Sequence, residues 1–382
     1  MSTFFPPEQP AAAVGEAALC PGILHIFVAF DWGDEIHLER ARQLVPAQTH
    51  ALPRRKRTPS SFSYRPAPLH FGINPAAVEL AELGKVSAAG RVTVFDFGAV
   101  SVARRVPFEL PAEAMSRLAA TLADPGTLIQ AARTSLEPIY RQLLPAIQNP
   151  NWQAYLSEEY FVFQLRPGEP LPPPDQLVDV SRGKPADWLA SLVHLENSPL
   201  STPEIGEALR LHIRYSPEDL FVPGWAAAVL IDRDCDETLE AVEFANLQLL
   251  EFRHIDNRLD ENLAAAYRYI HPLTSTWMPF WRMHARPLRV LGELKVEAND
   301  LFERTGNVLK LVGDPYLARL YRLVSARFHL EAWEESIQRK LEVTEGVHQV
   351  LADQAGAFRM EFLEVLVVLL ILVELVVAIF RH

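Results

Sequence analysis

Apolar residues recur along this chain in two rhythms. As far as Ile231 they come in short clusters separated by turn-forming residues, the pattern of strands mixed with short helices. GILHIFVAF (Gly22–Phe30), YFVFQL (Tyr160–Leu165) and WAAAVLI (Trp225–Ile231) predict strands. Val92–Phe97 and Ala99–Val106 predict two more, joined as a hairpin around Phe97-Gly98. Glu35–Leu44, Ala112–Leu122, Leu128–Leu144 and Leu189–Leu195 have helical composition or spacing, and Ala208–Tyr215 suits either state. From Asp236 the rhythm lengthens. Leu239, Val242, Phe244, Leu247, Leu250, His254, Ile255 and Leu259 recur near three- and four-residue spacing and mark an amphipathic helix to about Tyr269. STWMPFWRMHARP (Ser275–Pro287) interrupts it. Helices are then expected over Val290–Val312 and Pro315–Phe358, the latter striped by Phe328, Trp333, Ile337, Leu341, Thr344, Val347, Leu351 and Phe358.

The chain closes on FLEVLVVLLILVELVVAIF (Phe362–Phe380), followed by Arg381 and His382. As a helix this stretch is about 28 Å long, near the thickness of a bilayer's hydrocarbon core. Its aliphatic side chains outweigh the cost of one carboxylate, about 3 kcal/mol at the centre of a span. A C-terminal transmembrane helix is therefore expected. Met1–Pro10 carries no basic residue, so no signal peptide is read there. The expectation is a tail-anchored protein, single-pass, with its bulk in the cytoplasm.

Composition narrows this picture. A net charge of −12 argues against general or sequence-specific nucleic-acid binding, which needs a basic face. Hydrophobic residues make up 49% of the chain, enough for a sizeable core. Cys20 and Cys235 are the only cysteines and offer neither a disulfide framework nor zinc spacing. Prolines concentrate at Pro6–Pro10, Pro46–Pro75 and Pro167–Pro174, which read as loops or linkers. The basic tetrad Arg54–Arg57 lies in the second of these and reads as a solvated loop.

Three segments carry a family resemblance: AVEFANLQLLEFRHIDNRLDENL (Ala241–Leu263), VGDPYLARLYRLVSARFHLEAW (Val312–Trp333) and LEVLVVLLILVE (Leu363–Glu374). They resemble the family named for a founding member "required for meiotic nuclear division", whose biochemical activity is unknown. VFDFGAVSV (Val94–Val102) is more loosely similar to that family's hairpin. The departure comes immediately after it, where Arg104 and Arg105 stand in place of large apolar residues. The resemblance implies an α/β domain, a helical region and a membrane anchor. It also implies ribosomal or translation factors as partners, since a mitochondrial inner-membrane relative acts in translation. No catalytic residues come with it. Lacking a mitochondrial targeting segment, the chain reads as a bacterial protein of the cytoplasmic (inner) membrane.

Motifs for chemistry are sparse. There is no phosphate loop, dinucleotide fingerprint, zincin motif, nucleophile elbow or C-x-x-C. Asp232, Asp234, Asp236 and Glu243 fit positions of a calcium loop, but Glu237 stands where that loop needs glycine. A strand-to-helix turn with helix-capping acids is the simpler reading. Asn246, Glu251, Arg253 and Asp256 suggest a polar network along the long helix. Trp277, Met278, Phe280, Trp281 and Met283 form an aromatic–sulfur cluster read as a plug. Glu364 and Glu374 in the aliphatic tail suggest hydrogen bonding between helices of an oligomer.

Taken together, the expected fold is α+β: a mixed α/β core, then long antiparallel helices and one C-terminal transmembrane helix. The divisions expected are 1–90, 91–235, 236–359 and 360–382. The expected function is a membrane-attached, self-associating homo-oligomeric scaffold that uses no cofactor. An enzyme with an acidic site, or a module sensing a ligand or ion, stands as the alternative.

Overall fold

A computed structural model describes residues 18–45, 67–152, 156–270 and 315–346, with 296, 299, 364, 366–368 and 370–373. Its centre is a seven-stranded sheet of order β3-β4-β5-β1-β7-β9-β8. The strands are β1 (Leu19–Asp31), β3 (Leu69–Leu80), β4 (Gly84–Val94), β5 (Ala99–Pro111), β7 (Ser157–Leu165), β8 (Leu220–Pro223) and β9 (Ala227–Ile231). Neighbours run antiparallel except β7 and β9, which are parallel. A small ladder pairs β2 (Glu35–Ile36) with β6 (Ile147–Gln148).

Alternation along the strands divides the sheet into two faces. Leu24, Ile26, Val28 and Phe30 of β1 join Val100, Val102, Val106 and Phe108 of β5 in the main core. Helices α2 (Ala112–Leu122), α3 (Gly126–Leu143) and α5 (Lys184–His194) pack on this face, along β5, β3 and β9 respectively. Short helices α1 (Leu38–Leu44), α4 (Pro174–Leu177) and α6 (Thr202–Arg210) complete it. The opposite face presents His25, Phe27 and Ala29, aligned with Arg105, Ala103 and Ser101 on β5. The first half of α7 (Asp236–Ile270) lies here, its Leu247 and Leu250 packed with Ala29, Phe95 and Ala99. Helix α8 (Pro315–Arg327) adds Tyr321, in ring contact with Phe244, and Phe328 just beyond it contacts Tyr160. Arg327 donates to the carbonyls of Glu207 and Ala208, which end α6 without helical partners, and to that of Pro223.

Between β4 and β5 the chain turns at Gly98, whose φ is +94°. A Cβ there would fall 1.7 Å from the Gly33 carbonyl oxygen, so only glycine fits. This close approach lets the Gly98 carbonyl accept from Trp32 N–H at 3.1 Å, locking hairpin to β1.

By chain contacts the molecule forms two units, residues 1–251 with 305–331, and residues 252–304 with 332–382. In the second, Lys340 pairs with Asp256 and Asp260, each at 2.7 Å. Partial burial pulls the Lys340 pKa down, but its bonds to the two carboxylates outweigh that and hold it above its ordinary value.

The expected transmembrane helix requires correction. No helix among the described residues is long and apolar enough to cross a membrane. The mixed sheet core with helices after it stands; the membrane and tail-anchor reading does not. Two smaller differences have local causes. Pro75, expected in a loop, falls within β3, at a register shift between Ile73 and Ala76 of an edge strand, where proline is tolerated. The helix expected over Pro315–Phe358 breaks at His329, whose φ is +51°, and resumes over 330–346. Arg54–Arg57, the Trp277–Met283 cluster, Val290–Val312 apart from positions 296 and 299, and Glu374 lie outside the described residues.

Candidate functional site

Beneath α7 the second face of the sheet carries a seam of buried polar side chains. His25 on β1 is 3% exposed, and its Nε2 lies 2.9 Å from Gln164 Oε1 on β7. Gln164 Nε2 donates to the Asp232 carbonyl, so its Oε1 accepts and the His25 proton sits on Nε2. Two strands away, Arg91 Nη2 donates to Glu243 Oε2 at 2.5 Å, tying β4 to α7. His70 Nδ1 and Thr93 Oγ1 lie 3.2 Å apart on β3 and β4.

Electrostatics set the protonation of this seam. Burial pushes the His25 pKa down to about 4, against the opposing pull of its bond to Gln164. His70 is lowered by burial and then by Arg91. Glu243 raises the Arg91 pKa above its ordinary value, while burial raises that of Glu240. Cys235 is pushed up to about 12 by burial and by Asp236 and Asp232. At neutral pH the seam therefore holds neutral imidazoles, a protonated thiol and one ion pair. A thiol held protonated is a poor nucleophile, and both Gln164 groups are committed. The arrangement suits fastening of α7 to the sheet.

The residues expected from sequence take up separate positions. Asp232 Oδ1 accepts from the Asp234 N–H at 3.0 Å, forming a turn, and Asp236 opens α7, where its charge favours the helix dipole. Glu243 leaves this acidic turn to meet Arg91. Among the described residues no three His, Cys, Asp or Glu side chains gather as a metal site. Asn246 is buried and its Nδ2 donates to the Glu158 carbonyl at 3.1 Å, fixing α7 against β7. Glu251 is buried and Arg253 half-buried on α7, while Asp256 belongs to the ion pairs of the second unit. Glu364 is exposed on its helix. Sequence reasoning missed His25, His70, Arg91 and Gln164. Their one signal was polarity inside apolar strands, and the partners of His25 and Arg91 stand 139 and 152 residues away.

A different feature lies in the second unit. Leu366, Val367, Val368, Leu370, Ile371, Leu372 and Val373 are helical and each is 42–61% exposed. At 100° per residue they are spread around the helix, so the described positions from Leu366 to Val373 form no polar face.

Comparison with known proteins fits the sheet-bearing part. The family described as "Uncharacterized protein MJ0711, N-terminal domain" matches residues 21–237, more than half of the chain. The chain belongs to that family. It is 27% identical over 188 residues to "Uncharacterized protein MJ0711" of Methanocaldococcus jannaschii, a match covering 48% of this chain and 57% of that protein. The chain thus spans little more than half the length of this curated relative. No solved structure matches. The established kinship is to this uncharacterized family; the likeness to the family named for meiotic nuclear division rests on the quoted segments alone.

Proposed function

We propose that this protein is a self-associating scaffold, joined through the apolar helix at Leu366–Val373. The observation that carries the reading is the exposure of all seven aliphatic side chains around one helix. Burying a side chain of this size is worth about 1.5–3 kcal/mol, so the stretch leaves on the order of 10 kcal/mol unrealised. Contiguous apolar surface of this kind marks an interaction site. A helix with no polar side is not satisfied by a one-sided groove, whereas a bundle of equivalent helices from several copies encloses most of it. The committed hydrogen bonds and ion pair beneath α7 support a structural core over a reactive one. The likeness of Ala241–Leu263 to the family named for meiotic nuclear division adds translation factors as a partner class to be sought.

Light scattering coupled to gel filtration tests the reading. The full chain should elute as an oligomer, and the Val367→Asp/Ile371→Asp double variant should shift to a smaller species with unchanged circular dichroism. A monomeric full chain, or a variant of unchanged mass, overturns the proposal. Copurification with the full chain then asks for translation factors, and their absence removes that partner class without touching self-association.

A further inference from the structure

We draw no further inference here: the strongest candidate, the surface patch at the turn between β8 and β9 where the exposed Trp225 indole meets Phe328 and His329, carries nothing, because nothing in the structure shows what covers it.

Discussion

His25 stands on the covered face of the sheet with its ring committed to Gln164 through the nitrogen that carries its proton. Protonating the other nitrogen would place a cation in a buried site near Arg105 and Arg91, offset in part by Asp236. In the unfolded chain the ring titrates near 6.5, and in the folded chain near 4. Between those values the unfolded state holds more protons, so stability is fully present above about pH 6.5 and declines as pH falls towards 4. The loss attributable to His25 is on the order of 3 kcal/mol. His254 on α7, also buried and lowered to about 4, adds to the slope. Urea unfolding across this range should show stability falling with acidity, and His25→Gln should flatten the curve by about one proton. An unchanged slope in the variant would mean that His25 is hydrated and charges freely.

At the scale of elements, the join between α7 and the sheet combines the Arg91–Glu243 ion pair with the Asn246–Glu158 hydrogen bond and apolar packing. Glu243 is buried and Arg91 half-buried, at 2.5 Å. Removing one partner strands the other, so Arg91→Met should destabilise by about 3 kcal/mol, the low end of the range for buried pairs. The double variant Arg91→Met/Glu243→Met should recover most of that, because two apolar side chains need no pairing. Chemical denaturation of both single variants and the double reads this directly; additive losses would show that the two residues act separately. Glu243 was legible in sequence only as the last position of a failed calcium loop. Its partner on β4 was invisible, because antiparallel register brings it there and local spacing does not.

For the whole molecule, the family match ends at residue 237, just inside α7. The covered face of the sheet needs what comes after. Phe328 is fully buried against Tyr160, and Tyr321 is buried against Phe244 and hydrogen-bonded to Gln248. A chain ending at Glu251 would expose Tyr160 and Phe244. It should lose cooperative thermal unfolding or aggregate at temperatures where the full chain remains folded. A truncated chain melting with the full chain's sharpness and midpoint would show that α8 is dispensable to the sheet.

What the sequence by itself determined was local. The clusters at Gly22–Phe30, Tyr160–Leu165 and Trp225–Ile231, the hairpin at Phe97-Gly98 and the long helix from Asp236 follow from period and turn chemistry, which act over a few residues. The aliphatic tail was equally plain in composition, but composition of that kind is shared by membrane spans and by helices that pack together. Only the tertiary structure decided strand order and the placing of His25 and Arg91 beneath α7. Both depend on pairings between residues far apart in the chain. Such pairings carry no local signature, because a polar residue in a strand reads the same whether it meets water or a partner.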